Sequence, residues 1–561
     1  MPFAPLIARF KKAYDNAFVL DCIRRIVETD RWFSSDTMRQ TCRTVEAIMR
    51  EIGLAEVKTL RFPSDGRIAH GGWVMPLCWD AREATLEIVA PAVADPLLCR
   101  YTDTPCSLML NSRPGDVSAP VVWIDGHPRA PVRGRFVLVT NQWPGLEKTM
   151  AWFEQGAVGV LSSCLGGNYW KQPEHAYLRD SCQWLNYAIP HWPVRYRPMG
   201  FSLTPNQGLR LRELLKRHPR LTLRARVDTR LYPGTLPMVT GLLPGTTREE
   251  LAVTGHLFEQ GADDNASGVA LALGVARALR GRRLKRGIRF LFTYEVRSLQ
   301  AWLNGRRRIP APVAGINLDM VGAGADKRVC IGNTLPVLPS YAVPLLRDIL
   351  RRFPGYTSYE SPFGAIDNAL ADPLVGTPIP AVLLWDYPYY HKAGDTPERL
   401  DPAVLQTLAE TVGCYLSLLA QAGPREAQLL AGRVYEAERE RLRAVERARA
   451  FHLDLSRQAL ASVLRLARTP ALERGVAAWS RKLEREFQPL PDPASPEPTP
   501  ADRRAAGALG RIVPRKTFRG FFSFEKNLAR GSWPRSLDGV VRSWSAPGWV
   551  NSLLMWSNGR R

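Results

Sequence analysis

The sequence predicts an α/β protein with a mixed sheet covered by helices on both faces, and three observations carry that expectation. Between residues 221 and 415, short apolar runs alternate with helix-length segments, the pattern of strands and their covering helices. Hydrophobic residues make up 45% of the 561 and charged residues 23%, ordinary usage that excludes wholesale disorder and fibrous repeats. Finally, the acids and histidines suited to chemistry fall at predicted strand ends, where open α/β sheets bind ligands.

In chain order, Phe18, Leu20, Ile23 and Ile26 recur at helical spacing within a helical region 10–55, and Thr41 to Ile52 repeats the pattern. Val57 to Phe62, His70 to Val74 and Thr85 to Val89 read as short strands. Residues 96–200 form a small β-rich insert: Val121-Val122-Trp123-Ile124 and Arg135 to Val139 are strands, Leu146 to Gln155 a helix, and Val158 to Leu161 a buried strand. The α/β region supplies strands Leu221–Val227, Met238–Leu243, Glu250–Gly255, Ile288–Tyr294, Val313–Leu318 and Pro380–Trp385. Its helices are Gly268–Leu279, Tyr341–Arg352 and Pro402–Ala420. Residues 424–487 read as an Arg/Glu-rich helical extension with Pro470 as a break. Residues 488–502 read as a stiff linker, with six prolines between Pro489 and Pro500, and 503–561 as a small aromatic-rich module.

The net charge is +23, and residues 424–561 contribute +12 of it. A basic face for nucleic acid or another polyanion competes with the simpler reading of an Arg-rich solvated surface, which is preferred because no nucleic-acid-binding motif accompanies the charge. No apolar run reaches the ~18 residues of a spanning segment. The N-terminus lacks the pattern of a secretory signal. Nine scattered cysteines without CxxC pairs fit a reducing compartment, so a cytoplasmic location is expected.

Five side chains share one feature. His256 follows the strand Glu250–Gly255, Glu295 follows Ile288–Tyr294, Asp319 follows Val313–Leu318, His391 follows the last strand by a short loop, and Asp264 opens the next helix. Two imidazoles and three carboxylates at neighbouring strand ends make a zinc shell. A lone His256 would more often be a hydrogen-bonded core residue, and Asp263 and Asp264 equally suit a helix cap. The joint pattern favours metal.

His256-Leu-Phe-Glu-Gln-Gly-Ala-Asp-Asp-Asn-Ala-Ser-Gly268, followed by Arg289 to Glu295, Ile316 to Gly322 and Tyr390 to Pro397, resembles the M28 family of zinc aminopeptidases. The similarity is greatest to a bacterial aminopeptidase-like branch. It implies a three-layer zinc-peptidase-like fold: an N-terminal part at 1–95, an insert at 96–200 similar to a protease-associated domain, and the catalytic part at 201–423. It also implies that one or two zinc ions are held, one by His256 and Asp319, the other by Glu295 and His391, with Asp264 bridging. The family has a Glu-Glu pair, general base then ligand, where this sequence has Glu295-Val296. Either Glu295 ligates and the base is missing, or Glu295 is the base and one metal lacks a ligand. The acid that the family places two residues after the first histidine is here Phe258, and Glu259 is the nearest substitute. Asp263 reads as a cap or supporting group, Asp395 as a group orienting the His391 loop, and Asp367-Asn368 as a polar pair near the substrate pocket.

The expected function is hydrolysis of an amide next to a free amine, with peptides or aminoacyl amides as substrates. Two alternatives stay open: single-zinc acyl transfer as in the glutaminyl cyclase relatives, and an inactive pseudo-peptidase that binds a partner. The helices at 424–487 could pair with each other or form a homodimer. The C-terminal segment from Trp549 resembles part of a winged-helix module, with a packed aromatic cap as the simpler reading.

Overall fold

A computed structural model describes residues 3–487 apart from 71–72, 126–129, 142–143, 167–172, 186–187, 306–311, 325, 334–338, 363–366, 368, 372–374 and 446–448. The expected linker, the aromatic module with its winged-helix-like segment, and Asn368 lie outside the described residues.

Helices α1 (Phe3–Ala13), α2 (Asn16–Asp30) and α3 (Ser35–Ile52) lead into β1 (Ala55–Ser64), the ribbon β2 (Ala69–His70) and β3 (Trp73–Val74), and the long strand β4 (Cys78–Ala90). Then follow β5 (Leu97–Arg100), β6 (Gly115–Trp123), β7 (Phe136–Val139), α4 (Leu146–Glu154), β8 (Gly159–Ser162), β9 (Gly200–Ser202), α5 (Pro205–Arg217) and β10 (Thr222–Tyr232). The α/β region runs β11 (Gly234–Leu243), β12 (Glu250–Leu257), α6 (Ala266–Leu279), β13 (Gly287–Tyr294), α7 (Arg297–Asn304), β14 (Ala314–Leu318), β15 (Arg328–Asn333), α8 (Ala342–Leu350), β16 (Thr357–Pro362), β17 (Ala381–Leu384) and α9 (Pro402–Gln421). The chain continues through α10 (Pro424–Arg443), α11 (Arg449–Ala461) and α12 (Pro470–Glu486).

Local sequence sets many of these boundaries. The Asp15 side chain accepts the Phe18 N–H to start α2, and Gly53 ends α3 at φ 83°. Thr204 and Gln207 form a capping box on α5. Asn265, rather than the Asp263-Asp264 pair, caps α6 by accepting the Gly268 N–H. Pro470 begins α12 behind the Thr469 cap, so the proline read as a break is a helix start.

The main sheet has eight strands in the order β1-β11-β13-β12-β14-β17-β15-β16. Its centre, β13-β12-β14-β17, is parallel, while β1, β11 and β15 add antiparallel pairs. Side-chain alternation sends Val239, Val253, Phe290 and Phe292 into the core shared with α2, α3, α6 and α9. Met238, Ala252 and Leu291 point the other way, to Leu299 and Leu303 of α7. Helices therefore cover both faces of a mixed sheet, the α/β architecture expected. By length and composition α9 could cross a membrane, but 78% of its apolar window is buried here as the central helix of that core.

A second sheet, β5-β4-β10-β6-β7-β8-β9, holds the strands of residues 96–200. It is wider than that span, because the long strands β4 and β10 pair from Trp79–Leu231 to Ile88–Leu223 and carry the ladder onward to β6.

Candidate metal centre

The four central parallel strands deliver their C-terminal ends to one edge of the sheet. His256 on β12 pairs with Thr293 on β13, and Thr254 with Asn317 on β14, so the residues just beyond these strands stand side by side. Just beyond β12, β13 and β14, and again in the loop after β17, the backbone takes a positive φ at a non-glycine residue: Phe258 (φ 76°), Val296 (57°), Met320 (51°) and His391 (57°). Each such turn costs roughly 1–2 kcal/mol, and their concentration at one edge marks a site where geometry outranks local stability.

Asp264 is the centre of the group. Its Oδ1 lies 3.3 Å from His256 Nε2 and its Oδ2 3.1 Å from His391 Nε2. His256 Nδ1 lies 2.9 Å from Asp367 Oδ2, so that carboxylate backs the ring and Nε2 is turned toward Asp264. The acid beside His256 is thus Asp367, while Glu259, the nearest substitute in the sequence, lies by His391 instead. Its other oxygen accepts from Thr293 Oγ1 (2.5 Å) and the Val296 N–H (2.9 Å), fixing the end of β13 to the same carboxylate.

Glu259 is 3% exposed, and its Oε2 sits 3.5 Å from His391 Nε2. One ligand atom each from His256, Glu259 and Asp264 falls within 4.8 Å of the others. Asp319 follows β14 and is buried, with Oδ1 lacking a hydrogen-bond partner among the described residues. Glu295 follows β13 directly and is partly exposed. Asp395 accepts the N–H groups of Asp263 (2.9 Å) and Asp264 (3.1 Å) and the Tyr387 hydroxyl (2.8 Å), so it builds the Asp263-Asp264 loop from behind. Gly261 makes that approach feasible, since a Cβ there would lie 1.8 Å from Asp395 Oδ2. Asp263 turns away to accept the Gly322 N–H at 2.7 Å, a supporting rather than ligating position.

Two participants escaped the sequence reading. Asp30, at the end of α2, accepts the N–H groups of Phe258 (2.8 Å) and Glu259 (3.4 Å) and so holds the turn after β12. Trp184, from the second sheet's segment, lays its ring 4.1 Å from the His391 ring, while its N–H donates to the His391 carbonyl. Neither has a nearby motif; the pairing is over 200 residues apart in sequence.

Electrostatics match this crowding. Burial pushes Glu259 well above the usual carboxylate range, with Asp264 and Glu295 adding to it. Asp319 rises likewise through burial, aided by Asp264, Glu295 and Asp367 and opposed by His256. Burial also raises Asp263 and Glu295, and takes Asp395 to about 7. Asp264 goes the other way: burial would raise it, but hydrogen bonds from both histidines hold it low. Burial lowers His391, while His256, despite burial, is raised by Asp264 and Asp367. Several buried acids with few cations beside them form a charge arrangement that a divalent ion completes. The unpartnered oxygens of Glu259 and Asp319 and the Nε2 atoms facing Asp264 fit such an ion.

The model of peptidase family M28 matches residues 238–416. No curated protein matches the chain. Among solved structures, the zinc aminopeptidase BSAP from Bacillus subtilis shares 16% identity over 73% of this chain and 96% of its own, with a TM-score of 0.53. A peptidase M28 precursor from Shewanella amazonensis shares 14% over 75% of this chain and 97% of its own, at 0.54. These likenesses are of fold, and they extend the match beyond the segment that the family model covers. Residues 238–416, which carry all five of the strand-end residues, are the part of the chain that matches the model of peptidase family M28.

Proposed function

We propose that this chain is a zinc-dependent aminopeptidase-type hydrolase acting on peptides or aminoacyl amides, with His256, Asp264, Asp319 and His391 as metal ligands and Glu295 as the proton-transferring group. The observation that carries the reading is the seat of Asp264, whose two oxygens face the Nε2 atoms of two different histidines. A bound divalent ion supplies Lewis acidity and a water of lowered pKa.

The chain's own groups do the rest. Asp367 backs the His256 ring, and Trp184 and Tyr390 pack on the His391 ring at 4.1 and 3.6 Å. Glu295, directly after β13 and partly exposed, has its pKa raised by burial, which suits a carboxylate that accepts the proton of the attacking water and passes it to the leaving nitrogen. The surplus of carboxylates matches the ammonium group of an aminoacyl substrate. The stacked rings of Phe258 and Tyr294, 4.3 Å apart, offer its side chain an apolar surface.

Metal-stripped protein assayed with aminoacyl amides, before and after zinc is restored, tests this reading. Zinc-dependent amide cleavage is expected; a folded, zinc-loaded protein that cleaves none of them overturns it. Val296, where the family has its second glutamate, is the observation that keeps a second reading. One zinc per chain, with cyclisation of N-terminal glutaminyl peptides, would assign single-zinc acyl transfer instead. An inactive protein whose salt-sensitive polyanion binding survives His256→Ala would assign a binding role.

A further inference from the structure

We propose that Glu259 is a metal ligand, paired with His391, and that it fills the coordination position left open by Val296. The inference rests on the metal-centre reading above and assigns one more residue to it.

Glu259 stands on the segment after β12, and the missing carboxylate would have come from the segment after β13, so replacement requires a different strand end to reach the same place. The geometry shows that reach. Its Oε2 is 3.5 Å from His391 Nε2, and Asp264 Oδ2 is 3.1 Å from the same nitrogen. Ligand atoms about 2.0–2.1 Å from a tetrahedral zinc lie about 3.3 Å from one another, so both separations are those of neighbours on one coordination polyhedron. The 3.3 Å between His256 Nε2 and Asp264 Oδ1 has the same length on the other side of the bridge.

A second observation is independent of these distances. Glu259 is 3% exposed and its Oε2 has no hydrogen-bond partner among the described residues. A buried carboxylate oxygen left without a donor is costly unless a cation faces it. The position is also built: Asp30 takes the N–H groups of Phe258 and Glu259 and holds Phe258 in its left-handed turn, which carries Glu259 round toward His391. Asp30 is a positioning residue for this ligand.

The result is a half-site of His391 and Glu259 on one side of Asp264, with His256 on the other. Glu295 is then released from ligation to serve in proton transfer, which resolves the two roles left open by the incomplete Glu-Glu pair.

Zinc content after dialysis and zinc affinity by chelator competition, measured on the full chain, test the inference without any substrate. Glu259→Gln keeps the shape and removes the charge; Glu259→Asp keeps the charge and withdraws the oxygens by one methylene. Both are expected to weaken one zinc at least tenfold and to lower the ion count toward that of the remaining half-site. The visible spectrum of the cobalt(II)-loaded protein should change in parallel, and circular dichroism confirms that each variant is folded. Wild-type stoichiometry and affinity in both variants would overturn the assignment of Glu259 while leaving the metal centre intact. Failure of the unmodified protein to bind zinc or cobalt at all would overturn the metal-centre reading and this inference together.

Discussion

At the scale of single residues, the proposed centre depends on groups that stand behind its histidines. Asp367 faces His256 Nδ1 with one oxygen and accepts from Thr293 and Val296 with the other, so one carboxylate orients the His256 ring and fixes the neighbouring strand end. Carboxylates in that position around a ligating histidine change metal affinity by about 10–100-fold when altered. Asp367→Asn should therefore raise the zinc Kd by a factor in that range, read by chelator competition. An unchanged Kd would show that the His256 ring is held without it.

Whole elements meet in a similar way at Arg286, the residue before β13. It is fully buried, and its guanidinium donates to the carbonyls of Leu419 (3.0 Å) and Ala422 (2.7 Å) at the end of α9, to the Leu466 carbonyl (2.5 Å) between α11 and α12, and to Glu249 (2.9 Å). One side chain thus closes the C-terminus of the central helix and binds the helical extension to the sheet. Arg286→Met fills comparable space but strands three carbonyls, and the cost should be roughly 3 kcal/mol. Urea unfolding followed by circular dichroism measures it, and a midpoint equal to wild type would contradict the role.

For the molecule as a whole, the two sheets are not independent around the centre. Gln183 bridges Lys392 in antiparallel fashion, Trp184 N–H donates to the His391 carbonyl and Ala393 N–H to that of Cys182, so the second sheet's segment braces the His391 loop. The extension is equally joined, since Val463, Leu466, Leu472, Val476 and Leu483 share the apolar core of the main sheet. Metal bound as proposed, between strand ends and braced loop, would stabilise this assembly. Free zinc at 100 times its Kd adds about 2.7 kcal/mol, so chelation should lower the calorimetric Tm by several degrees and zinc should restore it. A Tm indifferent to both would count against a metal centre in the folded state.

The sequence by itself determined much of the alternation of strands and helices, the limits of α4, α6, α8 and α9 to within two residues, and the presence of His256, Asp264, Glu295, Asp319 and His391 at or beyond strand ends. Those features are local: apolar periodicity, caps such as Asp15 and Thr204, and a strand followed by an acid are written within a few residues. Only the tertiary structure decided which acid supports which histidine. Asp367 on His256, Asp30 on the turn at Phe258 and Trp184 on His391 are separated from their partners by 111, 228 and 207 positions in the chain, and no local pattern announces such contacts. Glu259 shows the reason most clearly. Its direction is set by a left-handed turn at a phenylalanine, a conformation the residue type disfavours and only the surrounding hydrogen bonds impose.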